Sequence, residues 1–141
     1  MTSSVLIKYL PDTDRDFPLP AYQTVGSSGL DIRAYFAPQE RVKGLTLSPG
    51  ERSLVSTGFS IAIPDGFEGQ IRARSGLALK YGIHLANGLG TIDNDYRGGL
   101  SVILINSGLQ PFVVEHRARI AQLVIARYER VTLEVVDNTS E

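Results

Sequence analysis

Glycine and proline occur so often along the chain that they leave room only for short elements of secondary structure. The 141 residues contain 14 Gly and 7 Pro, and turn signals stand at Pro49-Gly50, Pro64-Asp65-Gly66 and Asn106-Ser107-Gly108. No window of about eleven or more residues has a clean apolar period of roughly 3.6, which excludes long helices. The best helix candidate is one or two turns over residues 76–81, stopped by Gly82.

The segments between these turns carry the apolar patterns of β-strands. Residues 30–34 and 70–74 alternate apolar and polar side chains, which is typical of strands buried on one face. Residues 99–106 and 121–126 are more uniformly apolar and β-branched, which favours strands covered on both faces. Further strands are predicted over residues 5–9, 53–57, 59–63 and 131–136. Many short strands with frequent turns predict an all-β fold, which is a sandwich, a barrel or a jelly roll.

Length and composition indicate one domain and exclude several classes of function. The prediction is a single β domain over residues 1–141, with residues 137–141 expected to fray. A net charge of −1 argues against a nucleic-acid-binding protein, which needs a basic excess. Because no long apolar run and no signal peptide are evident, we expect no membrane partner and a cytoplasmic or otherwise intracellular protein. With no cysteine, disulfides, thiolate metal sites and cysteine nucleophiles are excluded.

Four clusters of polar residues beside glycines lie at predicted strand ends, where rigid β scaffolds usually carry function. They are residues 29–34 (Gly-Leu-Asp-Ile-Arg-Ala), 74–78 (Arg-Ser-Gly-Leu-Ala), 87–99 and 119–123 (Arg-Ile-Ala-Gln-Leu). In the second cluster, Arg74 offers a charged fork, Ser75 a hydroxyl and Gly76 accessible backbone amides, which together suit an anion. Taken alone, Arg-Ser-Gly is also a common way to end a strand and begin a helical turn.

The carboxylates and histidines leave alternatives open. Asp93-Asn94-Asp95 is either a turn capped by its own side chains or a segment that holds a catalytic acid toward a cleft. Asp31 and Arg33 lie two residues apart on one strand face, which favours a structural ion pair. Neither His84 nor His116 has the spacing to Asp, Glu or His that a zinc site or a catalytic triad requires.

Taken together and in this order, the four clusters resemble the motifs of the homotrimeric dUTPase family (deoxyuridine 5′-triphosphate nucleotidohydrolases). The third motif is similar to residues 90–98 (Gly-Thr-Ile-Asp-Asn-Asp-Tyr-Arg-Gly), and the resemblance runs from about Phe17 to Val136. It implies a jelly-roll subunit in a homotrimer whose active sites lie at subunit interfaces. It also implies hydrolysis of dUTP to dUMP and pyrophosphate, with Mg²⁺ bound to the triphosphate.

The resemblance further implies a role for particular residues. Asp93 would be the catalytic base that deprotonates the water attacking the α-phosphorus, and Tyr96 would lie against the deoxyribose and exclude a 2′-hydroxyl. The backbone of a hairpin over residues 82–96 would recognise uracil. Asp31 and Arg119 would support the site from a second layer, and Mg²⁺ would have no protein ligand beyond a water-mediated contact with Asp31. The implied substrate-binding residues are Asn87, Gly90, Thr91, Ile92 and Tyr96 for the nucleoside and Arg74, Ser75, Gly76 and Gln122 for the phosphates.

Three features depart from the family's pattern. Gly99 stands where many members carry Glu or Gln, and Arg117-Ala118 precede Arg119 where Gly-Asp or Gly-Glu is usual. The glycine-rich fifth motif is absent, and the sequence stops at Glu141 about where that motif is expected to begin.

Two alternatives therefore accompany the dUTPase prediction. One is a dCTP deaminase-like enzyme, although residues 92–96 favour the diphosphatase. The other is a catalytically weak, nucleotide-binding or regulatory relative. A plain β-sandwich binding module would leave the four clusters unexplained.

Overall fold

The computed structural model describes residues 3–140, and β-strands dominate it. The strands alternate with the glycine-containing, proline-containing and polar turns that punctuate the sequence. A 3₁₀ turn covers Pro38–Glu40, and a helix, α1, covers Ser75–Tyr81. The strands are β1 (Leu6–Tyr9), β2 (Leu30–Arg33), β3 (Leu45–Leu47), β4 (Arg52–Ala62), β5 (Phe67–Arg72), β6 (Ile83–Leu85), β7 (Gly90–Ile92), β8 (Gly99–Asn106), β9 (Phe112–Val114) and β10 (Arg119–Arg127).

The strands form two antiparallel four-stranded sheets and a separate antiparallel pair. The first sheet has the order β1-β4-β8-β6, the second has the order β2-β10-β5-β7, and the pair is β3-β9. Most neighbours within a sheet are distant in sequence, so the chain crosses repeatedly between the sheets. The predicted all-β, jelly-roll-like class with a short helix near residues 76–81 is confirmed.

The core lies between the two sheets and is built from alternate side chains of each strand. In β8, Leu100, Val102 and Leu104 are buried, while the side chains between them are only half-buried. They belong to one apolar cluster with residues of the second sheet, among them Ile71 and Leu123. Burial of each such side chain contributes roughly 1.5–3 kcal/mol, so the alternation fixes which face of every strand points inward.

The prediction that residues 99–106 and 121–126 are covered on both faces is wrong for the single chain. The outward side chains of β8, such as Ile103 and Ile105, are half-buried, and Leu54 beside Ile103 is 68% exposed. A uniformly apolar sequence indicates that both faces avoid water, but it does not say that the same chain supplies the cover. This uncovered apolar face of the first sheet lies across β4 and β8.

Helix α1 confirms the short helix predicted over residues 76–81 and begins one residue earlier. Gly82 ends the helix in the left-handed conformation, with φ of 71°, and its N–H donates to the Ala78 carbonyl at 3.0 Å. A Cβ atom at Gly82 would lie 2.4 Å from the backbone nitrogen of Gly108. Glycine is therefore required here both for the turn and for the contact with the chain that follows β8.

Other sequence predictions of strands need correction. Residues 131–136 form no strand in the part of the chain that the structure describes, and Val131, Leu133 and Val135 are exposed. Their alternation predicts an extended strand but supplies no neighbour to pair with. The two strands predicted over residues 53–57 and 59–63 are one strand, β4, whose pairing is irregular around Gly58 with φ of 79°. The three-residue strands β3, β6, β7 and β9 are too short for a periodic signal.

The boundaries of the predicted domain extend slightly beyond the described residues. Met1, Thr2 and Glu141 lie outside them, so fraying of residues 137–141 stays a prediction. Residues 137–140 carry neither helix nor strand. Within residues 3–140, no helix has the length and apolarity that crossing a bilayer would require.

Candidate active site

A cleft of about 300 Å³ lies where β7 ends and β8 begins. Apolar side chains of both sheets, including Ile71 and Ile103, line it. It gathers all five residues that the family resemblance assigns to the nucleoside, together with the base that it predicts. These six are Asn87, Gly90, Thr91, Ile92, Asp93 and Tyr96. We call this the nucleoside cleft.

The nucleoside cleft exists because β6 is too short to cover its neighbour. Along β8, β4 pairs with one edge, while β6 pairs only with Leu104, Ile105 and Asn106 on the other. The first half of that edge, residues 99–102, pairs with no strand among the described residues. In this stretch the Tyr96 hydroxyl already occupies the Gly99 carbonyl, and Thr57 Oγ1 occupies the Leu100 carbonyl. The rest of the unpaired edge lies along the cleft, where a strand edge offers backbone groups to a polar ring.

The hairpin predicted over residues 82–96 is wrong. The two strands in this segment belong to different sheets, since β6 pairs with β8 and β7 pairs with β5. The connection between them carries Asn87 to the mouth of the cleft, with a turn bond from the Gly88 N–H to the Leu85 carbonyl at 3.0 Å. The segment therefore joins two sheets rather than forming one two-stranded ribbon.

Asp93 follows β7 directly and begins a tight turn. The Tyr96 N–H donates to the Asp93 carbonyl at 3.1 Å, and Arg97 Nη1 donates to the Asn94 carbonyl at 2.5 Å. Asn94 Nδ2 donates to the hydroxyl of Tyr128 at 2.9 Å. Residues 93–95 therefore form a turn, which the backbone and Arg97 close rather than the side chains of residues 93–95 themselves. Asp93 lines the cleft, and its catalytic role stays a prediction.

Asp93 lies on the rim between the nucleoside cleft and a second, polar cleft of about 510 Å³. Carboxylates and polar groups line the second cleft, namely Glu68, Asn94, Asp95, Tyr128, Glu129 and Arg130. Among the described residues, none donates a hydrogen bond to the Asp93 carboxylate. The backbone of the turn therefore sets where this carboxylate lies.

Tyr96 forms one wall of the nucleoside cleft and is 45% exposed. Its hydroxyl donates to the Gly99 carbonyl at 3.0 Å, which folds the ring back over the chain. A Cβ atom at Gly98 would lie 2.7 Å from Tyr96 Cζ, so glycine at this position gives the ring its place. Gly99 also lines the cleft, where the family's pattern leads us to expect a larger residue.

A second group of predicted site residues is centred on Asp31 in β2, and we call it the arginine cluster: Asp31, Arg74 and Arg119. Arg119 Nη1 donates to Asp31 Oδ2 at 3.2 Å, and Arg74 Nε lies 4.0 Å from Asp31 Oδ1. The predicted pair of Asp31 with Arg33 is wrong, since Arg33 donates instead to the Arg117 carbonyl at 2.9 Å. Pairing of β2 with β10 therefore gives Asp31 a partner from the opposing strand, Arg119, instead of Arg33 from its own strand.

The remaining phosphate-binding candidates lie beside the arginine cluster. Gln122 is the register partner of Asp31 on β10, and its amide donates to the Ala73 carbonyl at 3.0 Å. Arg74 directly precedes α1, whose first residues, Ser75 and Gly76, are exposed. No described side chain caps this end of α1, so its first amides point outward, as anion binding requires.

The second sheet separates the arginine cluster from the nucleoside cleft. In its order β2-β10-β5-β7, Asp31 belongs to one edge strand and Gly90–Ile92 form the other, three strand spacings or about 14 Å away. Register partners share a face, so Asp31 and Gln122 lie on one face while the next row, including Ile71 and Gly90, faces the core. One chain therefore does not bring the two groups into a single site.

A family model described as dUTPase matches residues 15–141. The chain belongs to the dUTPase family. A deoxyuridine 5′-triphosphate nucleotidohydrolase of Methylocella silvestris is 53% identical over 131 residues, which are 93% of this chain and 79% of the relative. One of Roseobacter denitrificans is 49% identical over 138 residues, which are 98% of this chain and 88% of the relative.

Solved dUTPase structures share the fold. The dUTPase from phage phi11 of S. aureus superposes with a TM-score of 0.81 at 19% identity and covers 98% of this chain and 99% of its own. A G164S mutant of the Staphylococcus bacteriophage 80alpha dUTPase with dUpNHpp gives a TM-score of 0.82 at 22% identity, covering 99% and 92%. At these identities the likeness concerns the fold alone.

One departure from the dUTPase motifs has a structural counterpart. Arg117, which replaces the usual glycine of the fourth motif, has φ of 70° and so adopts the left-handed conformation that glycine accepts most readily. Its guanidinium lies 6.0 Å from the Phe17 ring centroid and donates to the Asp16 carbonyl at 3.4 Å. These contacts with the approach to the first motif offset part of the strain.

The histidines of this dUTPase serve other contacts. His84 Nε2 lies 2.7 Å from Ser107 Oγ, and His116 Nδ1 accepts from the Phe36 N–H at 3.0 Å. Burial, together with the positive charges of Arg41 and Arg117, lowers the pKa of His116, and Asp14 opposes this weakly. Among residues 3–140 there is no group of three or more His, Asp or Glu side chains arranged to hold a metal ion.

Sequence reasoning missed several residues that build the site. Leu54, Ser101 and Ile103 line the nucleoside cleft from β4 and β8, and Asn94 bonds to Tyr128 across 34 positions of sequence. Leu54, Ser101, Ile103 and Tyr128 lie outside the four motifs, so only the strand pairing places them at the site.

Proposed function

We propose that the protein hydrolyses dUTP to dUMP and pyrophosphate by attack of water on the α-phosphorus. Its membership of the dUTPase family, with relatives of about half-identical sequence named for this activity, is the observation that carries the proposal. The reaction limits uracil incorporation into DNA and supplies dUMP, so its place is inside the cell, where deoxynucleotides are used.

The nucleoside cleft suits a deoxyuridine group. Its volume of about 300 Å³ is at the small end for ligand sites and fits a base with its sugar rather than a whole triphosphate. Asn87 and the unpaired backbone edge of β8 offer donors and acceptors for the uracil edge. Gly90, Thr91 and Ile92 shape the floor, and Tyr96 covers the deoxyribose where a 2′-hydroxyl would clash.

Asp93 is proposed as the general base. It lies where the nucleoside cleft meets the polar cleft, so a water held by its carboxylate is able to approach a phosphorus bound just outside the nucleoside cleft. A carboxylate is a weak base near neutral pH, and its efficiency depends on holding that water within hydrogen-bond distance of the reacting atom.

The arginine cluster and the start of α1 are proposed to bind the phosphates. Arg74, Ser75, Gly76 and Gln122 supply the donors, while Asp31 and Arg119 keep Arg74 in place. Phosphoryl transfer needs mainly positioning and neutralisation of charge, which guanidinium groups and backbone amides supply.

The divalent cation belongs with the substrate. Mg²⁺ usually keeps several waters and is held by phosphates plus one or two carboxylates, so it needs no protein cage. The chain's donor set fits this, because Asp31 is an isolated carboxylate already 3.2 Å from Arg119. We therefore infer that the protein takes dUTP with Mg²⁺ on its triphosphate, in water-mediated contact with Asp31.

A homotrimer with shared sites reconciles the separation of the two groups. If the arginine cluster of one subunit faces the nucleoside cleft of the next, each interface contains one complete site. Two observations favour association. The apolar outer face of β4 and β8 is incompletely covered in the single chain, and the side chains of Val131, Leu133 and Val135 are exposed.

Product analysis tests the proposed function. Purified protein is incubated with Mg²⁺ and dUTP, dTTP, UTP or dCTP, and pyrophosphate and ammonia are measured separately. We expect pyrophosphate and dUMP from dUTP, with much slower release from dTTP and UTP. Ammonia from dCTP would instead identify a deaminase, and tight dUTP binding without pyrophosphate would identify a nucleotide-binding relative.

A further inference from the structure

Two sets of hydrogen bonds hold the turn that carries Asp93. Arg97 Nη1 donates to the carbonyls of Asn94 at 2.5 Å and Tyr96 at 3.0 Å. In addition, Asn94 Nδ2 donates to the hydroxyl of Tyr128 at 2.9 Å. The first contact is local in sequence, whereas the second joins positions 34 residues apart.

Tyr128 is well placed to act as a fixed anchor. It is the first residue after β10, and its N–H donates to the Gly66 carbonyl at 3.3 Å. Both Tyr128 and Asn94 are half-buried, so their hydrogen bond is partly shielded from competing water. The bond therefore ties the turn to the end of the longest strand pairing of the second sheet, β5 with β10.

The position of the Asp93 carboxylate depends on this backbone anchoring. No described residue donates a hydrogen bond to the carboxylate, and Asp93 is exposed at the rim of both clefts. A side chain without partners of its own is aimed only by the turn below it. Because catalytic geometry tolerates errors of only about 1 Å, movement of the turn would reduce the rate more than it would weaken binding.

We propose that Tyr128 is a positioning residue for catalysis, which acts through Asn94 to hold the Asp93 turn against the end of β10. The proposal rests on the proposed function, since it concerns the same carboxylate. Tyr128 itself touches neither the nucleoside cleft nor the arginine cluster, because it lines only the polar cleft. Its effect is therefore expected on the chemical step.

The test compares Tyr128→Phe, Asn94→Ala and the double variant. Tyr128→Phe keeps the ring and removes the acceptor, and we expect kcat for dUTP to fall by about three- to tenfold, with KM changed less than about twofold. The Kd of dUpNHpp should also stay within about twofold of the wild type. Asn94→Ala should lower kcat by the same factor as Tyr128→Phe. The kcat of the double variant should be no lower than that of either single variant, because all three lose the same hydrogen bond.

Tyr81→Phe is the matched control. Tyr81 is exposed, and its hydroxyl makes no hydrogen bond to any described residue, so kcat and KM should stay at the wild-type values. An unchanged kcat in a Tyr128→Phe protein that melts like the wild type would overturn the proposal. Additive losses in the double variant would do the same. Should Tyr128→Phe fold poorly, the comparison of Asn94→Ala with wild type decides.

A readout independent of activity separates this proposal from the proposed function. The Tyr96 N–H closes the Asp93 turn, so its hydrogen exchange should be faster in Tyr128→Phe than in the wild type. A wild type that does not hydrolyse dUTP would count against the function alone. Unchanged exchange at Tyr96 would overturn the positioning role whether or not the enzyme is active.

Discussion

The nucleoside cleft and the arginine cluster differ in the physical properties that they offer to a ligand. Among the described residues, Asp93 is the one charged side chain that lines the nucleoside cleft, and the rest of the lining is apolar side chains, small polar groups, glycines and the Tyr96 ring. In the arginine cluster, two partly exposed guanidinium groups share the single carboxylate of Asp31. Arg33, whose register partner is Arg119, adds a third positive charge nearby.

This difference suggests a division of labour. Steric walls discriminate between nucleosides that differ by one hydroxyl or methyl, whereas an excess of positive charge attracts any polyphosphate. Selectivity should therefore depend on the nucleoside cleft, and general affinity for nucleotides on the arginine cluster. If the nucleoside cleft and the arginine cluster meet across a subunit interface, catalysis requires residues from both regions.

The largest expected effect concerns the charge of Asp93 in the nucleoside cleft. Asp93→Asn keeps the shape of the side chain but removes the base, so kcat should fall by about 10²–10⁴ while dUpNHpp still binds. Asp95→Asn, in the same turn but facing only the polar cleft, is the control and should retain most activity. Steady-state pyrophosphate release measures both variants, and near-normal turnover by Asp93→Asn would remove Asp93 from the mechanism.

Subunit mixing tests whether the two regions meet between chains. Asp93→Asn removes the proposed base from the nucleoside cleft, and Arg74→Ala removes a proposed phosphate ligand from the arginine cluster. Each variant alone should therefore be nearly inactive. Co-expression in equal amounts should recover about one quarter of the wild-type sites, because each shared site needs an intact half from each of two neighbours. The double variant expressed alone is the control. No recovery in the mixture would place the whole site within one chain.

The preference for dUTP over UTP should distinguish the role of the Tyr96 ring from that of the arginine cluster. Tyr96→Ala opens space beside the sugar, and we expect the preference for dUTP over UTP, measured as the ratio of kcat/KM values, to narrow about tenfold or more. Arg74→Ala should instead lower both values by a similar factor and leave their ratio unchanged. A ratio that survives Tyr96→Ala would show that another surface excludes the ribose.

The smallest expected effect is on the pH dependence of stability, and it comes from His116, in the segment that precedes Arg119 of the arginine cluster. Because the pKa of His116 is lowered in the folded protein, the unfolded chain binds more protons below about pH 6.5. The free energy of unfolding should therefore be steady above that pH and decrease as the solution becomes more acidic. Urea unfolding between about pH 5 and 8 measures it. His116→Gln should flatten the profile, and a profile that is unchanged in this variant would remove His116 as its source.

Sequence patterns predict those parts of the molecule whose signal is local. Alternation predicts β2 within one residue, and the four motifs associate Asp93 with Tyr96, which do line one cleft. Strand β6 has three residues, too few to show a period, so the gap beside β8 that forms the nucleoside cleft is not predictable from the sequence.

The wrong sequence predictions share one cause: a local sequence pattern does not determine which distant segments pair. Closeness in sequence predicts a pair of Asp31 with Arg33, yet β10 supplies Arg119 instead. Residues 131–136 have a strand's alternation but no neighbour in the described chain. The Asn94–Tyr128 bond likewise depends on the order of strands in the second sheet.

The exposed segment after β10 affects how quickly proteases degrade the protein. Residues 128–140 carry no strand pairing, and proteases cut extended backbone of this kind far faster than backbone held in a sheet. If association covers Val131, Leu133 and Val135, the cleavage site disappears as subunits assemble. Lifetime in a cell would then rise with subunit concentration, so that scarce, unassembled chains are degraded first and the assembled enzyme persists.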